Sequence, residues 1–133
     1  MTAEVLDEWV RKAEGDFNTA CREGRVASRS NYDAACLHSQ QCAEKYLKAF
    51  LMSNNARFVW THNLIQLLGD CTKIDPTFEF VRNECSVLNG MLRLRYPSDF
   101  AAQEDARLAI ANVKVVREFV RDRMGLKRKG RKR

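Results

Sequence analysis

The chain has 133 residues, of which 45% are hydrophobic, and a formal net charge of +6. This length is sufficient for one domain that folds around its own core without covalent cross-links. No apolar run approaches the roughly 20 residues that cross a bilayer, and the first residues lack the pattern of a signal peptide. These features argue against a membrane-spanning protein and predict a single cytoplasmic domain with no membrane partner.

The excess positive charge is confined to the C-terminus. Residues 127–133 contain six basic residues and no acidic ones, which leaves 17 basic and 17 acidic residues in 1–126. We therefore divide the chain into one domain over 1–126 and a basic tail over 127–133. Such a tail can bind phosphates without sequence preference, but it also suits solubility or an acidic protein partner. Its basic residues are Lys127, Arg128, Lys129, Arg131, Lys132 and Arg133.

The five cysteines are odd in number, and no two of them form a C-x-x-C pair. No histidine stands at a spacing that would complete a zinc site. Several cysteines fall on apolar helix faces, as buried thiols do in a reducing cytosol. We therefore expect free thiols, and the sequence predicts neither a metal site nor a cofactor.

Apolar residues at helical spacing predict a first helix over about residues 3–23, ending at Gly24. Ser30 and Asp33 have the spacing of a capping box that would open a second helix, running to about Asn54. The second helix has two adjacent apolar rows, wide enough to pack against several neighbours, so we expect it at the centre of the fold. Its other side is polar and carries Gln40, Gln41, Glu44, Lys45 and Lys48.

Start and stop signals predict three further helices. Asn63 marks the start of the third. The fourth begins at Pro76, is weakened by Gly90, and ends before Pro97. Asp99 is predicted to cap the fifth helix, which ends before the basic tail. Because no stretch alternates like a strand and the connections are short, the fold class that we predict is an all-α, five-helix antiparallel up-and-down bundle.

Arg95 lies where the spacing of the fourth helix, continued from Leu92, predicts an inward apolar side chain. A buried guanidinium requires either a carboxylate partner or an anionic ligand. Asp16 and Asp99 are the candidate partners. The alternative is that Arg95, with Tyr96 beside it, faces a cleft and binds an anion or a nucleotide.

Three other residues are candidates for ligand binding. Lys45 and Lys48 could contact nucleotide phosphates, although a solvated polar face shared with Glu44 is the ordinary alternative. His62 is either a ligand contact or a hydrogen-bonded residue at the start of the third helix. Trp60, nearby in the loop, could stack on a base or fold over the core.

Four short motifs follow one another along the chain, and the specific part is the second. In this order they resemble the HEPN domain family, named for nucleotide binding in higher eukaryotes and prokaryotes. The resemblance covers about residues 5–122. The motifs are Trp9-x-x-x-Ala13-x-x-Asp16-x-x-x-Ala20, Gln40-Gln41-Cys42-Ala43-Glu44-Lys45-Tyr46-Leu47-Lys48-Ala49, Thr61-His62-Asn63-Leu64 and Arg95-Tyr96-Pro97.

The resemblance implies a five-helix up-and-down bundle that usually forms homodimers and is associated with nucleotides or RNA. Many relatives pair with a minimal nucleotidyltransferase in toxin–antitoxin systems, and others serve such an enzyme as a substrate-binding domain. A minimal nucleotidyltransferase is therefore an expected partner.

One departure from the family pattern concerns catalysis. Ribonuclease members carry an arginine and a histidine separated by four to six residues near the fourth helix, but no histidine follows Arg93 or Arg95. Arg57 and His62 are separated by four residues, as the motif requires, but they lie in the loop between the second and third helices and not near the fourth. Without an imidazole near Arg95, RNA cleavage lacks its usual proton carrier. We therefore predict a non-catalytic binding module. The alternatives are a metal-independent endoribonuclease toxin and a subunit that contacts only another protein.

Overall fold

The computed structural model describes residues 2–126, and it is all-helical between short loops. This part of the chain contains no strand, which confirms the predicted all-α, five-helix bundle. Two short 3₁₀ helices, Pro76–Val81 and Met91–Arg95, flank the fourth helix. The predicted tail, 127–133, lies outside the described residues. The helices are α1 (Ala3–Arg25), α2 (Tyr32–Ser53), α3 (Leu64–Ile74), α4 (Arg82–Gly90) and α5 (Gln103–Arg123).

Helix α2 is the centre of the bundle, as its two apolar rows predict. It contacts all four of the other α-helices. Burying both rows removes large apolar areas from water, at about 25 cal/mol per Å², and this helix contributes more buried apolar residues than any other. The residues of the two rows are all buried: Ala35, Cys36, Cys42, Ala43, Tyr46, Leu47, Ala49 and Phe50. None of the helices in residues 2–126 is long and apolar enough to cross a membrane.

Some helix ends follow the sequence signals and others do not. Asn63 caps α3, since its Oδ1 accepts from the amide of Ile65 at 2.9 Å. The predicted capping box at Ser30 is wrong, because Asn31 caps α2. Asp33 instead accepts a hydrogen bond from the Ala101 amide at 2.6 Å, which ties the start of α2 to the segment that precedes α5.

The predicted cap of α5 and the predicted end of α1 are also corrected. Helix α5 begins at Gln103, four residues beyond Asp99, and the side chain of Asp105 accepts from the Ala102 amide at 2.8 Å. Gly24 lies inside α1, which continues to Arg25. Neither Asp99 nor Gly24 therefore sets a helix boundary.

The register of α4 changes after Gly90, where the α-helix becomes a 3₁₀ helix. An α-helix turns once in 3.6 residues, but a 3₁₀ helix turns once in three. The buried positions therefore advance from Leu88 to Met91 and Leu94, whereas Arg95 is exposed. The prediction that Arg95 points inward is wrong, because it extended α-helical spacing through a segment with a tighter turn.

A polar node within the bundle joins α1, α2 and α5. Glu14 accepts hydrogen bonds from Arg117, Nε at 2.7 Å and Nη2 at 2.8 Å, and from the hydroxyl of Tyr46. Arg121 donates to the Tyr46 hydroxyl at 2.9 Å. Burial alone would raise the pKa of Glu14, but the bonds from Arg117 and Tyr46 outweigh it and hold that pKa below its ordinary value. The node fixes α1 against both neighbours.

Candidate functional site

Arg95 and Tyr96 form an exposed pair where the 3₁₀ helix ends. The Arg95 guanidinium lies 6.0 Å from the centre of the Tyr96 ring, and its Nε donates to the Leu92 carbonyl at 3.2 Å. Tyr96 has an extended backbone and is 60% exposed. In the described part of the chain Arg95 has no carboxylate partner. The guanidinium is therefore open to a ligand from solvent.

The carboxylates predicted to pair with Arg95 lie elsewhere. Asp16 is buried in α1 and accepts from Nδ1 of His38 at 2.8 Å and from Nζ of Lys45 at 2.5 Å. Asp99 forms no ion pair with Arg95 in residues 2–126. The predicted pairing of Arg95 with either aspartate is therefore wrong. Asp16 instead ties α1 to α2, because its partners there replace the water that burial removes.

Gln40, Glu44 and Lys48 form a buried row along α2, which we call the α2 polar row. Gln40 donates to Glu44 at 3.3 Å, and Lys48 donates to Glu44 at 2.9 Å. The exposed fractions of Gln40, Glu44 and Lys48 are only 1%, 7% and 5%, respectively. The prediction of a solvated face is wrong for this row, because the loop between α2 and α3 crosses it.

His62 belongs to that loop and completes the α2 polar row. Its Nδ1 lies 3.0 Å from Oε1 of Glu44, and its carbonyl accepts from Gln40 at 2.9 Å. A carboxylate only accepts hydrogen bonds, so Nδ1 of His62 carries the proton that Glu44 accepts. The side chain is 66% exposed. His62 is thus both a hydrogen-bonded residue beside the start of α3, as predicted, and an imidazole open to solvent.

Glu44 is held ionised within the row. Burial alone would raise its pKa, but hydrogen bonds from Lys48, His62 and Gln40 outweigh burial and keep the pKa below its ordinary value. A buried carboxylate with a buried ammonium beside it is stable only when such bonds satisfy both groups. Lys45 therefore pairs with Asp16, and Lys48 pairs with Glu44.

Trp60 packs on the bundle and yet remains 61% exposed. Its ring centre lies 5.6 Å from that of Trp9 and 5.2 Å from that of Phe58. Nζ of Lys48 lies 4.8 Å from the Trp60 ring, within the range of a cation–π contact. The indole is therefore fixed in orientation, and it leaves apolar surface facing solvent.

The predicted site residues thus fall into two groups. Arg95 and Tyr96 lie at the end of the 3₁₀ helix, whereas Lys48 and His62 belong to the α2 polar row; neither His38 nor His62 hydrogen-bonds to Arg95. Sequence reasoning missed Asn89 of α4, whose Oδ1 accepts from the Leu64 amide at 2.8 Å and fixes the start of α3. A lone asparagine in a helix carries no signal for such a contact.

The cysteines are free thiols, as predicted, and only Cys21 is not fully buried. Burial raises the pKa of Cys36 to about 11 and that of Cys85 to about 12, so both remain protonated near neutral pH. No group of three or more candidate metal-binding side chains occurs in residues 2–126.

The described residues form a five-helix bundle of the class of small all-α domains. Comparison with known families places the chain within that class. The model of the HEPN domain matches residues 6–123, and the chain therefore belongs to the HEPN domain family. Comparison with curated proteins and with solved structures finds no match.

Proposed function

We propose that this HEPN domain binds a nucleotide or RNA through the Arg95–Tyr96 pair and does not cleave it. The observation that carries the proposal is the exposed guanidinium, stacked near an exposed tyrosine ring and unpaired with any carboxylate in the described residues. Guanidinium groups bind phosphates in a bidentate manner, and aromatic rings stack on bases without sequence preference. The two side chains together suit one nucleotide unit.

The absence of catalysis in this proposal follows from the positions of the imidazoles. His38 is bonded to Asp16, and His62 is bonded to Glu44. Proton transfer at a ligand held by Arg95 would require an acid or base within hydrogen-bonding distance of it. Lys45 is bonded to Asp16 and Lys48 to Glu44, so these residues have structural roles outside the Arg95–Tyr96 pair.

The proposed partners follow from family membership. We propose a homodimer, and a minimal nucleotidyltransferase as the protein partner in a toxin–antitoxin pair. The basic tail, 127–133, would add affinity for RNA through its six charges. A subunit that contacts only this protein partner remains the competing proposal, and failure of every nucleotide and RNA to bind would favour it.

Titration with nucleotides and a short single-stranded RNA tests the binding site. We expect Arg95→Ala to weaken binding by about tenfold, since a charge-assisted hydrogen bond contributes about 1.5–3 kcal/mol. Lys73→Ala is the matched control, because the Lys73 side chain is 80% exposed and its replacement by alanine also removes one positive charge. Equal affinity in the Arg95→Ala variant and the control would contradict the proposal.

A second candidate function, a metal-independent endoribonuclease, is favoured by one observation. Glu44 hydrogen-bonds to Nδ1 of His62, and the imidazole side chain is 66% exposed. This is the arrangement that a general base requires. Incubation with RNA in the presence of a chelator separates the two functions, because cleavage that is lost in His62→Gln, with binding retained, would establish catalysis.

A further inference from the structure

A groove between α1 and α5 has a volume of about 450 Å³ and is lined by basic side chains around a small apolar floor. We call it the basic groove. It lies apart from both groups of residues described above, since none of its residues belongs to either. The lining residues are Cys21, Gly24, Arg25, Arg107, Ile110, Ala111 and Lys114.

The sequence builds this groove by bringing two helices close together. A Cβ atom at Gly24 would lie 2.4 Å from Cδ1 of Ile110, so a larger residue at this position would require the end of the Ile110 side chain to move. Arg107 and Lys114 are seven residues apart, two helical turns, and so lie on the same side of α5. Arg25 faces them from the last turn of α1.

The cations of the groove are not paired within the domain. In residues 2–126, Arg25, Arg107 and Lys114 form no ion pair, and no acidic side chain lines the groove. Residues 1–126 carry equal numbers of acidic and basic residues, so the groove has a local excess of positive charge in a domain whose formal net charge is zero. Three like charges in one groove lower their mutual repulsion when an anion lies between them.

We propose that the basic groove binds phosphate groups, carried either by a free nucleotide or by an RNA strand. Arg25 and Arg107 supply the guanidinium forks that match phosphate oxygens, and Lys114 adds an ammonium. The floor of Ile110, Ala111 and Cys21 suits the apolar face of a sugar or base. The volume falls within the range of about 300–1,000 Å³ that small-molecule sites occupy.

Cys21 provides a local reporter for this site, because the other four cysteines are buried. The rate of its alkylation by iodoacetamide, a neutral reagent, can be followed by mass spectrometry. The probes are inorganic phosphate, a nucleoside monophosphate and a single-stranded RNA of about ten nucleotides. We expect a bound phosphate to slow the alkylation of Cys21 by about fivefold or more at saturation, since the ligand covers the groove floor.

The pattern among the probes identifies the source of the phosphate. Protection by all three would assign the groove to a single phosphate group, and protection by RNA alone would assign it to the strand. Protection by none of them would overturn the proposal. The measurement uses the full chain, and also a chain whose six tail cations are replaced by glutamine. Loss of all protection in that second chain would equally overturn it.

Charge-matched variants locate the effect. Each variant is compared with its own rate without ligand. We expect Arg107→Gln with Lys114→Gln to raise the half-protecting concentration by about tenfold. Lys12→Gln with Lys73→Gln removes the same charge from exposed positions outside the groove. This pair should change the half-protecting concentration by less than about twofold. Equal effects of the two pairs would overturn the proposal. With inorganic phosphate as the probe, Arg95→Ala should leave Cys21 protection unchanged, so this proposal and that for Arg95 can fail separately.

Discussion

The α2 polar row and the basic groove differ in how their cations are satisfied. In the row, Lys48 is buried and bonded to Glu44, and the carboxylate has three donors around it. In the groove, Arg107 and Lys114 are exposed and have no carboxylate in the described residues. Paired and buried charges hold elements together, whereas exposed and unpaired ones are available to a ligand. The sequence motif marks the first region strongly and does not include the second.

The largest expected effect is on stability, when the row loses its carboxylate. Glu44→Gln leaves the buried Lys48 ammonium without its counter-ion, which typically costs about 3–5 kcal/mol. Urea denaturation should show a fall in the free energy of unfolding of this size. A change below about 1 kcal/mol would contradict our view that the row is structural.

Acid should destabilise the row and the Glu14 node together. The pKa values of Glu14 and Glu44 lie below the ordinary value of 4.5, so the unfolded chain takes up protons first as the pH falls. Stability is therefore fully present above about pH 4.5 and is lost below it, until the folded-state pKa values are passed.

Denaturation at a series of pH values measures this loss. The Glu44→Gln variant, compared with the wild type, should show a shallower decline because one of the two carboxylates is missing. Identical slopes in the two proteins would show that Glu44 does not contribute.

A smaller effect is expected from Tyr46→Phe. The hydroxyl lies between Glu14 and Arg121, and its removal leaves both buried groups with one partner fewer. We expect a loss of about 1–2 kcal/mol in the free energy of unfolding. Tyr32→Phe, in the same helix but only half-buried, is the control and should lose less.

The smallest effect on stability is expected in the basic groove. Arg107→Gln with Lys114→Gln removes two exposed charges without partners, so the free energy of unfolding should change by no more than about 0.5 kcal/mol. A loss comparable to that of Glu44→Gln would remove the distinction between the two regions, because the groove would then also be structural.

The sequence predicts the bundle and the position of α2 because helical periodicity depends on each segment alone. Both apolar rows of α2 are buried as expected, and Asn63 caps α3. The errors arise where a segment distant in sequence forms the hydrogen bond that a local group was expected to form. Asp33 satisfies the Ala101 amide, 68 positions away, instead of closing a capping box. Such a partner cannot be found from local spacing.

The two site errors have separate physical causes. Continued α-helical spacing places Arg95 inside the bundle. After Gly90, however, the helix has 3₁₀ geometry with fewer residues per turn, and the direction of each later side chain changes with it. Local spacing places the α2 polar row in solvent. The loop that covers the row carries His62, which is 18 residues from Glu44 in sequence, so local spacing does not reveal this cover. In both cases the surroundings of the residues depend on tertiary structure, which local spacing does not contain.

The hydrogen bond from the Ala101 amide to Asp33 also bears on how fast a ligand would be captured. It anchors one end of the short segment whose other end carries Tyr96, and the 3₁₀ helix anchors that other end. A segment tethered at both ends has little freedom left to lose when a ligand arrives. Association at Tyr96 should therefore need no slow rearrangement, and Asp33→Ala should lower the association rate constant by making the segment search for its bound shape.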